Sequence, residues 1–253
     1  MSWIETLNLP KACLVQKRIP LKKLGEHCTL RQKQLIEKNI SSVMLVALVD
    51  EETSRIRSFQ DTVEIYQVFF ILEIVSKVFP LSQEVYQLLH SLFPNPTILF
   101  CEKDDKLQLS STLKRINLND SELTTVEEMI VSSTLHMTIE LNEYFYQIDY
   151  FRLRVLNLKE FYFWIHCAIK FLAFKNYRVL IPKDKDKLIY IYNLETEFSK
   201  NNSEIECKSK SMKIAAELSR RMDLHMDIQV LKRRNDEILK EVSSYGFIHK
   251  LPI

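Results

Sequence analysis

Two glycines, Gly25 and Gly246, are all that the 253 residues contain. Average usage near 7% would supply about 18. Glycine lets a backbone take positive φ or press close against a phosphate. Phosphate-cradling Walker loops and dinucleotide fingerprints need clustered glycines, and a hydrolase nucleophile elbow needs them beside its serine. With one near each end of the chain, none of these devices can be assembled. Function has to be sought in charge layout and surfaces.

The length allows one large core with an appendage, or two small domains. Hydrophobic content of 46%, with 14 Phe and 10 Tyr, suffices for a packed core. The longest apolar runs are Val43 to Val49 and Val68 to Val75, the latter interrupted by Glu73. Both fall well short of the roughly 20 residues of a membrane-spanning helix. The N-terminal residues carry Glu5 and no apolar core of a leader, so a cytoplasmic protein with no membrane association is expected. The scattered cysteines Cys13, Cys28, Cys101, Cys167 and Cys207 form no Cys-x-x-Cys pair and read as buried hydrophobes or idle thiols.

Leu9-Pro10 and Ile19-Pro20 bracket a segment expected to be extended. Thr29 is a good N-cap for a helix running to Ile40, ended by Ser41-Ser42. Val43 to Val49 reads as a buried strand, followed by a polar stretch from Asp50 to Gln60. Thr62 to Leu72 is expected as a strand from its β-branched and aromatic content. Ser82 caps a short helix through Leu92, closed by Pro94 and Pro96. Thr97 to Cys101 and Leu107 to Ile116, around the turn at 102–106, make the best hairpin, and a further strand is placed over Met129 to Ile139. Leu158 to Phe174 has the spacing of a mostly buried helix. The sum is an α+β fold: a mixed or antiparallel sheet with packed helices, then a C-terminal helical region. The division expected is an α+β body over residues 1–180 and helices over 181–253.

From Asn202 and Ser203 onward β signals vanish. Leu224, Ile228, Leu231, Asn235, Ile238 and Val242 fall at alternating intervals of four and three, a short coiled-coil-like seam with one polar position. So short a seam must dock, on another helix of this chain or on a partner, because tertiary contacts supply most helix stability. These six residues are the candidate partner interface, with homo-oligomerisation through the helix left open.

Net charge is only +2 but unevenly spread. Eight basic residues lie between Lys11 and Lys38 against Glu26 and Glu37, and eight more between Lys208 and Arg234 against three acids. Such ends suit a polyanion such as DNA. The candidate phosphate contacts are Lys17, Arg18, Lys22, Lys23, Lys114, Arg115, Arg220, Arg221, Lys232, Arg233 and Arg234.

Ligand sets are missing: the six histidines form no His-x-x-His or His-x-x-x-His, and no metal or cofactor is expected. His27-Cys28 and His166-Cys167 are adjacent pairs whose side chains diverge on a helix or a strand. Glu206-x-Lys208 has the spacing of a restriction-type nuclease motif but lies in a helical lead-in. Glu102, Asp104 and Asp105 sit in a turn; a divergent metal-dependent nuclease built on them is the enzymatic alternative. A helical assembly protein without a nucleic-acid role is another. The stretch Tyr144 to Phe151 reads as core more readily than as a base-stacking surface.

Leu9-Pro10 and Lys17-Arg18-Ile19-Pro20 with Lys22-Lys23, then Lys114 to Asp120 with Thr125 to Glu128, then Arg221 to Lys232, resemble in order and spacing a bacterial family known as domain of unknown function forty-three ninety-one. The family's usual basic residue after Ile-Pro is here Leu21. The resemblance implies a gene neighbourhood of helicases and DNA methyltransferases in restriction and anti-phage clusters. The expectation is therefore an accessory, non-catalytic subunit that binds a helicase or DNA methyltransferase partner, with its basic ends against DNA.

Overall fold

The computed structural model describes residues 2–26, 28–117, 120, 124–174 and 181–245. His27 and Gly246, singled out above, lie outside the described residues, as does part of the Lys114 to Asp120 segment. The chain divides into two compact units, Met1–Lys170 and Phe171–Ile253, ten residues ahead of the expected boundary.

The first unit is α+β. It runs α1 (Trp3–Thr6), a 3-10 turn (Lys11–Cys13), β1 (Leu14–Ile19), α2 (Leu21–Leu24), α3 (Leu30–Asn39), β2 (Ile40–Asp50), α4 (Glu51–Ser54), β3 (Phe59–Gln60), β4 (Ile65–Tyr66) and β5 (Val68–Ser76). Then come α5 (Gln83–Ser91), β6 (Thr97–Lys103), β7 (Lys106–Ile116), β8 (Thr124–Val131), β9 (Leu135–His136), α6 (Ile139–Phe145) and α7 (Leu158–Phe171). Seven strands make one mixed sheet in the order β1-β2-β5-β6-β7-β8, with β9 also paired to β7. Neighbours β5 and β6 run parallel, joined through α5; the other pairs of this sheet are antiparallel among the described residues.

Alternation along the strands sets the layers. On β5, Leu72 and Ile74 join the cluster containing Val85, Leu89 and Ile36 from α5 and α3. Its neighbour Phe69 turns the other way, with Phe161 and Tyr162 of α7 at 5.9 and 5.3 Å. Strand β7 repeats the pattern. Gln108, Ser110 and Thr112 address Tyr86 and His90 on α5, while Ser111 addresses His166 on α7. Helices therefore cover both faces of the sheet.

Several expected boundaries move for local reasons. The segment bracketed by Leu9-Pro10 and Ile19-Pro20 is extended as β1 after a 3-10 turn, and the short helices α1 and α2 flank it. Trp3 anchors α1, fully buried against Phe100 and Phe145 at 5.4 and 5.7 Å. Thr29 does cap α3, in a reciprocal box with Gln32. Ser41 and Ser42 belong to β2, which bulges between Ile40 and Ser42 to pair with β5. Thr62 to Glu64 is a turn, because the Asp61 carboxylate accepts the Val63 and Glu64 amides at 2.8 and 2.7 Å. The strand expected over Met129 to Ile139 starts earlier, at Thr124, and Ile139 instead opens α6 behind its cap Thr138.

Tyr162 closes the top of the β6/β7 ladder, whose last paired residues are Ile98 and Ser111. Its hydroxyl lies 2.7 Å from Thr112 O and 2.9 Å from Thr97 O, and accepts the Thr112 amide at 3.2 Å. Tyr162→Phe strands these buried groups and is expected to cost about 1–2 kcal/mol. The check is a lower urea midpoint followed by tryptophan fluorescence.

The second unit contains α8 (Lys185–Ile214) and α9 (Leu218–Ser244), joined by residues 215–217. Asp184 caps α8 by accepting the Lys187 amide at 2.9 Å. The two helices pack as an antiparallel hairpin. Asn202 and Ser203, from which β signals vanish, lie inside α8, which already begins at Lys185. Asn201 and Asn202 form a polar layer with Asn235 of α9, at 2.9 and 3.0 Å.

Candidate nucleic-acid interface

Lys17 and Arg18 stand on β1, the edge strand, five of whose six residues are exposed. Gln16, at φ 52, produces a bulge between Leu14 and Lys17 that re-aims the following side chains. Pro20 then starts α2, which presents Lys22 and Lys23 to solvent while Leu24 enters the core. Among the described residues none of these four cations makes an ion pair. Charges on an edge strand also deter strand pairing between molecules. That role accounts for Lys17 and Arg18 but not for the two lysines on α2.

Lys114 corrects the expectation. It is 3% exposed and cannot meet a phosphate backbone on the open surface. The even positions of β7 face α5, so its ammonium is drawn to carbonyls near the C-terminal end of that helix: His90 O at 2.8 Å, and Phe93 O. Burial pushes its pKa down to about 8. Lys114 sits at the back of a cleft of about 620 Å³ whose rim includes Lys23. Two candidates from distant stretches thus meet at one place, beside a β7/β8 bulge between Leu113 and Lys114. Arg115 is half-buried.

In the second unit the basic stretch is partly neutralised. Arg234 makes a two-pronged pair with Glu197 at 2.7 and 2.9 Å and also meets Glu237. Its guanidinium is fixed within the hairpin and is not free for phosphate. Arg221 Nε donates to Ala215 O at 2.7 Å, closing the end of α8. Lys208 pairs with Asp227 and Glu204, and Lys210 with Glu206, so Glu206-x-Lys208 is helix-surface chemistry. Arg220, Lys232 and Arg233 remain exposed.

The heptad seam is filled from within the chain. Leu224, Ile228, Asn235, Ile238 and Val242 are buried and Leu231 half-buried in the pairing of α9 with α8, so these residues present no open partner interface. A different surface went unnoticed in the sequence. Leu218, Met222, Met226 and Val230 recur every fourth residue of α9 and are 59–73% exposed. At 100° per residue they lie roughly opposite the seam. Met222 and Met226 floor a groove rimmed by Lys213, Arg221 and His225. The four-residue spacing was the signal available.

The turn acids do not converge. Glu102 accepts from Trp3 N at 2.7 Å and Ser2 Oγ at 2.8 Å, holding the start of α1. Asp105 pairs with His136 at 3.1 Å, and Asp104 occupies the turn at φ 57. Among the described residues no group of three or more His, Cys, Asp or Glu is placed to hold a metal ion. Of the aromatic stretch, Tyr144 and Phe145 are core. A hydroxyl–imidazole–carboxylate chain does form: Ser111 Oγ to His166 Nδ1 at 3.0 Å, and His166 Nε2 to Glu128 at 3.2 Å, with Lys170 on the same carboxylate. Ser111 and His166 are wholly buried, so the chain ties β7 and β8 to α7 rather than meeting substrate. Burial holds both His166 and His90 below the ordinary imidazole range; Glu128 opposes the shift at His166, whereas Lys114 adds to it at His90.

No helix among the described residues is long and apolar enough to cross a membrane. No curated protein and no solved structure matches the chain. A family model does, over residues 7–234, from before β1 to the middle of α9. The match embraces the exposed cations, the cleft and most of the helical hairpin, and by it the chain belongs to the family described as Domain of unknown function (DUF4391).

Proposed function

We propose that this protein is a cytoplasmic, non-catalytic accessory subunit of a DNA-directed restriction or anti-phage system. Its first unit engages nucleic-acid phosphates through Lys17, Arg18, Lys22 and Lys23, and its second unit docks a helicase or DNA methyltransferase. The observation that carries the nucleic-acid half is the exposure of four cations within seven residues, without carboxylates against them. Phosphate contacts of this kind are sequence-independent and weaken as salt rises. Purified protein is expected to bind a hydroxyl-ended duplex at low salt and release it as salt increases. Absence of binding near about 50 mM salt would end the reading.

The partner half draws on the gene neighbourhood implied by the family resemblance and on the α9 stripe. Exposed, adjoining apolar side chains mark interaction surfaces, and methionine adapts to varied partners. The basic rim of the groove suits an acidic amphipathic helix of the partner. Met222→Asp with Met226→Asp is expected to abolish co-purification with the neighbouring helicase or methyltransferase while far-UV circular dichroism stays unchanged. Retained co-purification would remove the stripe from the account.

A further inference from the structure

Lys114 holds its positive charge almost out of solvent with no carboxylate against it among the described residues. Its bonds to His90 O and Phe93 O make it a cap for α5, but carbonyls are dipoles and leave the charge uncompensated. A buried ion without a counter-ion is costly. Lys23 and Gln32, whose side chains carry an ammonium and an amide, line the cleft in front of it. No Asp or Glu lines it among the described residues, and Leu92 and Phe93 supply an apolar wall. Its volume of about 620 Å³ is that of a pocket for a small organic ligand.

We propose that this cleft binds a phosphate monoester, either a nucleoside monophosphate or the terminal phosphate of a nucleic-acid strand. Two ammonium groups match a dianion, the Gln32 amide donates to a remaining oxygen, and the apolar wall takes the sugar or base. The strand-end form rests on the nucleic-acid reading above. The nucleotide form stands without it.

The test uses the full chain and oligonucleotides identical except for a 5′-phosphate or 5′-hydroxyl, read by fluorescence anisotropy. Calorimetric titrations with thymidine monophosphate and with inorganic phosphate run beside them. The phosphorylated strand is expected to bind about tenfold tighter. Lys23→Ala and Lys114→Met should each reduce that ratio; the first replaces a surface side chain and keeps the test valid should Lys114→Met fail to fold. Reading a ratio separates the cleft from the general loss of affinity that Lys23→Ala brings. Nucleotide binding without an end preference supports the phosphate site and assigns its source to free nucleotide. Equal binding of both strands, with no heat from nucleotide or phosphate, overturns the proposal. If hydroxyl-ended duplexes also fail to bind, the accessory-subunit reading falls separately, and the nucleotide titration still decides the cleft.

Discussion

Acidification from pH 7 to pH 5 is expected to lower the stability of the first unit by about 2 kcal/mol through His90 alone. His90 is wholly buried, with Nε2 2.8 Å from Ser110 Oγ and Nδ1 3.4 Å from Thr112 Oγ1. Burial, then the nearby Lys114 and His166, keep its imidazole neutral well below the ordinary value. In the unfolded chain the ring takes a proton near about pH 6.5. The unfolded state therefore binds more protons below that pH. The stability in question is present above it and is lost as pH falls, by about 1.4 kcal/mol per unit while the folded ring stays neutral. His166 adds in the same direction, less strongly because Glu128 favours its charged form. Both tryptophans, Trp3 and Trp164, are buried in this unit, so their fluorescence reports its unfolding selectively. Urea midpoints between pH 7 and 5 should fall steeply for the parent protein and less steeply for His90→Gln. Parallel profiles would show that His90 does not titrate in this way.

Neutralising Lys17, Arg18, Lys22 and Lys23 together, each to Gln, is expected to weaken duplex binding on the order of a hundredfold near 50 mM salt. Each neutralised phosphate contributes about 0.9 to the slope of log affinity against log salt. Removing all four cations should therefore flatten that slope by about 3.6, and the two proteins should converge near about 0.2 M salt. Arg234→Gln is the control. Its guanidinium is held by Glu197, so its removal should leave the slope untouched. A variant slope equal to that of the parent would contradict the nucleic-acid half of the account.

Local signals were readable where they were also decisive. Thr29 and Gln32 cap α3 because both partners lie within one turn. The Thr97–Ile116 hairpin follows from two apolar runs around a charged turn. The seam in α9 follows from its spacing. Signals that depend on distant partners were not readable. Asn202 marks only the end of β signals, yet its amide oxygen serves Asn235, 33 residues on. Arg234 resembles a free cation, yet Glu197 lies 37 residues before it. Lys114 continues the polar alternation of Gln108, Ser110 and Thr112, which reads as a solvent face and is instead covered by α5. The candidate site divides the same way: the exposed cations of β1 and α2 were legible, and the cleft joining Lys23 to Lys114 was not.

The central claim, that the segment from Lys17 to Lys23 lies against nucleic-acid phosphates, is tested most directly by lysine modification. An amine-reactive reagent is applied with and without saturating duplex at low salt, and modification is read residue by residue by mass spectrometry. The account predicts that Lys17, Lys22 and Lys23 become protected when duplex is added and lose that protection as salt is raised. Unchanged reactivity at all three while duplex remains bound would contradict it.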